Sequence, residues 1–447
     1  MRRKISTLLL LMLLLFSFST TAFAANADVP SINGKAAIVI DATTGEIIYE
    51  KNIDSSPMYP ASTTKLLTAL LLAENKQPKD ILTYTENAAK QPDYSLYNLV
   101  GRSKIKVNDT MTAEDVMKSL LLFSANDAAY MVADNLAGSP AEFANMMNDR
   151  IKKMGLKSTH FVTANGLDNG IENHYTSAYD LSIIGKEAYK NPWVKQVMNT
   201  AKDKIEISNG TIAYVENRNK LLGQKIDTAL ADKVGINLDE VPASNAIAVG
   251  GKTGYTSKAG RCLVAVFEKD GRVLIGVVLK SVYDANDTYV FNDMTKIINW
   301  SYSAKRTPIY KANTELKTLT LKYKPLKFFG PEKEVKVPVV LNEDAAYFEN
   351  SVNKAEMKTE FNFSEDIKAN KLSTDASIGK LVLKERDASR SYDIYPMLSS
   401  KEVMKGNALL YAGVGIGAIV IIAVLLVIIK LISKAFRRGK RRNRRMF

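Results

Sequence analysis

Tyr59-Pro60-Ala61-Ser62-Thr63-Thr64-Lys65-Leu66-Leu67-Thr68-Ala69-Leu70 is the stretch on which the fold turns. Pro60 and the small residues behind it open a helix, and Leu66, Leu67 and Leu70 form its apolar side. Ser62 and Lys65 stand three apart, so on a helix they share a face about one turn from each other. A neutral lysine beside a hydroxyl takes its proton and leaves a nucleophile. Ser-x-x-Lys also arises by chance at the start of ordinary surface helices, so its meaning rests on its surroundings in the chain.

Upstream, residues 36–41 and 44–50 read as two strands around a turn. Downstream, residues 113–123, 128–136, 143–154 and 178–189 carry helical spacing, interrupted at Ser124-Ala125-Asn126-Asp127, so residues 62–200 are mostly α with loops at 155–177. Strand character returns at 246–249, just before Gly250-Gly251-Lys252-Thr253-Gly254. It continues in 262–268 and 272–279, which flank Asp270-Gly271, a strong hairpin signal. Residues 292–300 add a closing helix. The pattern is an antiparallel sheet whose ends are separated in sequence by a helical insertion, an α+β catalytic domain over 30–303. A charged connector, 303–315, then leads to short alternating runs at 316–323, 334–340, 361–363 and 380–384. These form a small β-rich spacer domain, 314–400, without a catalytic constellation.

The ends say where the chain works. Met1-Arg2-Arg3-Lys4, an apolar run over 5–18 and Ala22-Phe23-Ala24 make the three parts of a secretory signal peptide, residues 1–24. Residues 408–429 hold no charge and are long enough to cross a bilayer of about 30 Å as a transmembrane helix. The basic tail that follows, 430–447, stays on the cytoplasmic side, with the catalytic domain outside the cell membrane. Anionic lipid is the simpler partner for a basic tail placed there, rather than nucleic acid. Arg2, Arg3 and Lys4 supply three and the tail nine of the +14 net charge, leaving +2 for the exported part, so the basic composition is no nucleic-acid signature. Cys262 is the single cysteine, which rules out an intrachain disulfide and leaves stability to the core. It sits in an apolar run as a small buried hydrophobe.

Three signals stand in fixed order: Ser62-Thr63-Thr64-Lys65, Ser124-Ala125-Asn126 and Lys252-Thr253-Gly254. Each is weak alone, but each falls in its own context of helix start, inter-helix loop and strand before a hairpin. Together with Asn165-Gly166-Leu167 and the run from Tyr255 to Gly260, they resemble the D-alanyl-D-alanine carboxypeptidases among the low-molecular-weight penicillin-binding proteins. The resemblance covers residues 36 to about 302 and implies a penicillin-binding/β-lactamase-like transpeptidase fold. It implies Ser62 as the acylated nucleophile, Lys65 as its base and Ser124 as a proton relay, with Lys252 supplying the cation that keeps Lys65 neutral. Asn126 then holds the substrate backbone, Thr253 the terminal carboxylate, and the N–H groups of Ser62 and Tyr255 the oxyanion. Gly254 lets the strand edge approach the substrate.

The implied partners are peptidoglycan stem peptides, β-lactam inhibitors and the bilayer, with no nucleic acid, no cofactor and no metal. His160 and His174 lack a third ligand at zinc-like spacing. A D,D-endopeptidase or β-lactamase uses the same parts, and a retired wall-binding scaffold is the alternative outside enzymes. Where relatives carry arginines near Tyr179 and Tyr283–Tyr289 this chain has none, which leaves the carboxylate to Thr253, Lys252 and Arg261.

Overall fold

The computed structural model describes residues 29–225, 227, 244–285, 288–327 and 330–443, the last six by backbone alone. The signal-peptide stretch, Arg444 and Arg445 lie outside the described residues. The chain divides into two compact units. The first holds the residues up to Arg306 together with Phe348–Ala355, and the second holds Thr307–Tyr347 and the residues from Glu356 on.

In the first unit, β1 (Ala36–Asp41), β2 (Ile47–Lys51), β3 (Ile247–Thr256), β4 (Gly260–Lys269) and β5 (Arg272–Ser281) form one antiparallel sheet in the order β2-β1-β5-β4-β3. The two N-terminal strands pair with the C-terminal ones through β1 and β5. Both faces of this sheet are covered, which is why its strands read as continuous apolar runs rather than alternating ones. On β4, Cys262, Val264 and Val266 face the helical layer. Leu263, Ala265 and Phe267 face the closing helix. Each such buried side chain contributes about 1.5–3 kcal/mol.

The helical layer contains α1 (Lys65–Asn75), α2 (Ala113–Lys118), α3 (Asn126–Ala137), α4 (Pro140–Lys153) and α5 (Ala178–Lys190), and the closing helix is α6 (Thr288–Ser303). In α1 every residue from Lys65 to Leu72 is buried, the pattern of a helix enclosed on all sides. It is therefore the axis of the unit, and whatever precedes it is held rigidly.

Several local expectations change. Ser62 lies on a 3-10 turn, Ala61–Thr64, and the α-helix proper starts at Lys65. The helix expected over 113–123 stops at Lys118 and widens into a π-type turn, Ser119–Phe123, ending at Ser124 in the left-handed region (φ 72°). The mostly-α reading of 62–200 missed a short strand pair, Ile81–Thr83 with Thr110–Thr112, and the helical segment Pro192–Met198. It stopped before the hairpin Lys202–Glu206 with Ile212–Glu216.

Residues 348–355 also return to the first unit, contrary to a boundary at 303. The amides of Asn350 and Asn353 donate to Ile47 O (3.0 and 2.9 Å), and Ser351 Oγ donates to Glu50 Oε1 (2.6 Å), covering the outer edge strand β2.

The second unit is a five-stranded antiparallel sheet. Its strands β6 (Lys317–Tyr323), β7 (Lys333–Leu341), β8 (Lys358–Phe363), β9 (Gly379–Lys384) and β10 (Ser389–Pro396) run in the order β6-β7-β10-β9-β8. β10 escaped the sequence reading because Ser389, Arg390, Ser391 and Asp393 dilute its apolar content. The supposed connector contains a strand too, Thr307–Tyr310, paired with Ala345–Tyr347, where Pro308 is tolerated in a two-stranded ribbon. The C-terminal helix runs over Ala408–Asn443, beyond the expected end at 429, and its segment Ala408–Arg437 is long and apolar enough to cross a membrane.

Candidate active site

Three loops converge on the start of α1. The 3-10 turn presents Ser62, the left-handed residue after the π-type turn presents Ser124, and the edge strand β3 presents Lys252. Two glycines permit the approach. A Cβ on Gly254 would lie 3.0 Å from Pro60 O and Ser62 N, so this glycine seats β3 against the Ser62 turn itself, rather than making room for substrate. Gly166, at φ +84°, faces Ala61 so closely that a Cβ would fall 1.8 Å from Ala61 O. The stretch Asn165-Gly166-Leu167 is thereby pinned under the nucleophile turn.

Lys65 Nζ stands 2.9 Å from each of Ser62 Oγ, Asn126 Oδ1 and Asn165 O. Lys65 is fully buried, which holds its amine well below the usual lysine range; the charge of Lys252 pushes it lower, and Asp127 opposes with less effect. Its place in the first turn of α1, at the positive end of the helix, acts in the same direction. A neutral amine has two N–H bonds and one lone pair. An amide oxygen and a backbone carbonyl only accept, so Asn126 and Asn165 take both N–H bonds and the lone pair is left for the Ser62 hydroxyl.

Lys252 Nζ donates to Ser124 Oγ and to Thr253 O, both at 2.9 Å. Burial and then the charge of Arg218 bring its amine down to about 7. Lys65 feels the charge of Lys252, so of the two amines Lys65 gives up its proton first, while Lys252 keeps its own up to about 7. Asn126 is tied at both ends, because its Nδ2 donates to Asp93 O (2.8 Å) and its backbone N–H to Tyr94 O (2.7 Å). Thr253 is half-buried beside Lys252. The Tyr255 side chain turns aside to meet the Tyr283 ring (centroids 4.7 Å apart), with the Arg261 guanidinium 4.4 and 4.8 Å from the two ring centres. The structure thus brings Ser62, Lys65, Ser124, Asn126, Lys252, Thr253 and Gly254 together, and Tyr255 follows Gly254 on β3 with its side chain against Tyr283 and Arg261.

Sequence reasoning missed Arg218, and it missed the roles of three residues it had passed over in other contexts, Asp127, Asn165 and His174. Arg218 donates from Nε to Phe123 O (2.8 Å) and lies 4.7 Å from the Tyr94 ring centre, next to the Ser124 loop. Its only trace in sequence is an arginine among asparagines, Asn217-Arg218-Asn219. Asp127 is fully buried and accepts from Leu96 N–H (2.7 Å), Tyr84 Oη (3.1 Å) and Ala128 N–H (2.9 Å); burial lifts its carboxyl to about 6. It anchors the segment that carries Asp93 and Tyr94. Asn165 contributes its carbonyl.

His174 is the fourth. Its Nδ1 accepts from Val162 N–H (2.9 Å), so Nε2 carries the hydrogen and donates to Thr64 Oγ1 (3.1 Å). Burial lowers this imidazole to about 3, and it stacks on Phe161 as a fixed neutral brace beneath the nucleophile turn. Cys262 is buried with its thiol pushed up to about 12 and takes no part in the site.

Against known proteins, a family model described as D-alanyl-D-alanine carboxypeptidase matches residues 22–282. The chain is 29% identical over 396 residues to D-alanyl-D-alanine carboxypeptidase DacF of Bacillus subtilis (strain 168), covering 86% of this chain and 91% of that one. It is 31% identical over 297 residues to D-alanyl-D-alanine carboxypeptidase DacC of Escherichia coli (strain K12), covering 64% and 66%. Among solved structures, the D-alanyl-D-alanine carboxypeptidase DacD from Francisella tularensis superposes with a TM-score of 0.55 at 20% identity, covering 83% of this chain and 95% of that one, a likeness of fold.

Proposed function

From membership of the D-alanyl-D-alanine carboxypeptidase family, to which this chain belongs, we propose how its residues perform that reaction. The protein is a serine peptidase that removes the terminal D-alanine of peptidoglycan stem peptides. Ser62 Oγ attacks the carbonyl carbon of the penultimate D-alanine while the Lys65 lone pair takes the hydroxyl proton. The N–H groups of Ser62 and Tyr255 hold the oxyanion, each such donor supplying ~3 kcal/mol.

Ser124 passes its proton to the leaving nitrogen and is resupplied by Lys252, 2.9 Å away. The C–N bond breaks, D-alanine leaves, and an ester remains on Ser62. Lys65 then releases the proton it took from Ser62 and Lys252 regains one, both by exchange with solvent. Water attacks the ester carbonyl, Lys65 takes its proton and gives it to Ser62 Oγ as the ester C–O bond breaks, and the shortened peptide is released. Thr253, with Lys252 and the cation of Arg218, draws the substrate carboxylate to that end of the cleft, and Asn126 supports the acyl side. A β-lactam presents the same amide in a strained ring and acylates Ser62 by the same step, but its nitrogen stays tethered to the ester.

The segment Ala408–Arg437 serves as the membrane anchor, with the catalytic unit outside and the basic tail on the cytoplasmic side. The observation that carries this reading is the buried Lys65 amine, 2.9 Å from Ser62 Oγ, with two pure acceptors on its remaining sides.

The full chain in detergent is incubated with a pentapeptide ending in D-alanyl-D-alanine. Free D-alanine and a tetrapeptide are expected, and a penicillin should add its whole mass to the wild type. In Ser62→Ala both are lost. A penicillin adduct that persists in that variant would sink the assignment.

A further inference from the structure

β3 is the edge strand of its sheet; residues 222–225 bridge to its first residues, Ile247 and Ala248, and among the described residues no strand pairs with its outer side from Lys252 on, where an incoming chain can add. A peptide that adds there in antiparallel sense, with its carboxylate at Lys252 and Thr253, runs backwards past Tyr255 and Thr256 toward Lys258. Beyond Lys258 the surface opens into a groove of about 730 Å³, walled by Tyr59, Lys157, Glu172, Asn173, Tyr175 and Lys258. That volume lies in the range of small-molecule sites, about 300–1,000 Å³, room enough for about one or two amino-acid residues.

The groove shares its walls with the catalytic cleft. Tyr59 leads directly into the Ser62 turn, and Lys258 Nζ sits 5.6 Å from its ring centre while donating to Asp168 O (3.2 Å). Thr256 Oγ1 donates to Asp168 Oδ2 (2.6 Å), which keeps that buried carboxylate turned to β3. The same loop supplies Asn165 O to Lys65, so groove and nucleophile are set by one rigid segment. The floor is held by His174 through Thr64 and the Val162 N–H. Two exposed lysines, Lys157 and Lys258, and one exposed glutamate, Glu172, are the charged residues lining it.

We propose that this groove is a second substrate subsite, which takes the residues upstream of the scissile bond and pairs Lys157 and Lys258 with a carboxylate they carry. The ligand class is a peptide with a free acidic group two or more residues before the cleaved bond. This inference rests on the direction of binding given under the proposed function.

The test uses the full chain in detergent and three substrates: N-acetyl-D-alanyl-D-alanine, a pentapeptide with the upstream carboxylate free, and the same pentapeptide with it amidated. In the wild type kcat/KM is expected to be highest for the acidic pentapeptide, lower for the amide and lowest for the dipeptide. Lys157→Glu and Lys258→Glu should each lower the ratio of acidic pentapeptide to dipeptide by roughly tenfold and remove the preference for acid over amide. Ratios that stay at the wild-type value in both variants, with D-alanine still released, overturn the subsite and leave the reaction standing. A wild type inert toward all three substrates overturns the reaction, and the subsite falls with it.

Discussion

The two units spend their interiors differently. In the first, buried side chains include Lys65, Lys252, Asp127, Asp168, Asp180 and Asp293, alongside many hydroxyls and amides. In the second, the core of Val337, Val339, Leu341, Leu381, Leu383 and Ile394 is apolar; among the described residues Asn407 is the one polar residue buried as a whole, and the one carboxylate side chain enclosed there, Glu385, is paired with Arg390 at 3.2 Å. Burying an ionisable group costs several kcal/mol unless it is paired or gives up its charge. The first unit accepts that cost at Lys65, Lys252 and Asp127 beside one cleft, as chemistry there requires, while Asp293 and Asp180 are satisfied as structural carboxylates by Gly34, Ser281, Ser158 and Thr159. The second unit accepts it only where a carboxylate is paired, and is built to hold a shape.

The largest effect expected from this contrast is at Lys65. Lys65→Met keeps the length of the side chain and deletes the amine, so kcat/KM for D-alanine release should fall by roughly 10³–10⁴, while the thermal midpoint of the first unit holds or rises. The pH dependence gives a second reading of the same variant. Folded Lys65 is neutral, whereas the unfolded residue is protonated below its ordinary value of 10.5. The unfolded chain therefore binds one more proton, and wild-type stability gains about 1.4 kcal/mol per pH unit from this group as pH rises toward that value. Lys65→Met should lose this share of the slope. Melting curves from pH 7 to 10 with unchanged slope would contradict a neutral Lys65.

The next effect lies in the other unit. Leu381 is fully buried in its sheet, and Leu381→Ala should destabilise it by about 2–5 kcal/mol with kcat/KM on a soluble peptide unchanged. Activity falling in parallel with that melting transition would break the division of labour between the units.

The smallest effect sharpens the electrostatics of the cleft. Arg218 contributes to holding Lys252 near 7, so in the free enzyme kcat/KM should decline as pH rises through about 7 and Lys252 loses its proton. On the acid side activity should be lost as Lys65 gains one. In Arg218→Gln the alkaline limb should move to higher pH, with kcat/KM reduced roughly tenfold by the missing charge. An alkaline limb that stays in place would show that Arg218 does not act on Lys252.

Much of this was legible before any coordinates. The Asp270-Gly271 hairpin, the strand character of 262–268 and the antiparallel sheet joining the chain's first strands to its later ones followed from local pattern, because apolar runs and turn residues act over a few positions. The short strands at 81–83 and 110–112 did not, since three residues carry too little periodicity. β10 was hidden because a strand flanked on both sides still shows polar residues on its solvent face. In the cleft, motifs marked the residues whose side-chain chemistry is itself unusual in context. Arg218, Asp127, Asn165 and His174 act through position: one by a nearby charge, one as a buried anchor, one by its backbone carbonyl, one as a neutral brace. None of those roles leaves a mark in residue type or spacing.

Residue order alone determined that a serine and a lysine stand three apart ahead of an apolar helix, and that an apolar segment near the C-terminus is followed by nine basic residues. Only the folded chain decided which lysine is neutral. The two amines are alike until one is enclosed between two acceptors at a helix start and the other donates to a serine beside an arginine. Proton affinity is set by what surrounds a group in space, and those surroundings come from segments up to 187 residues apart in sequence, as Lys65 and Lys252 are.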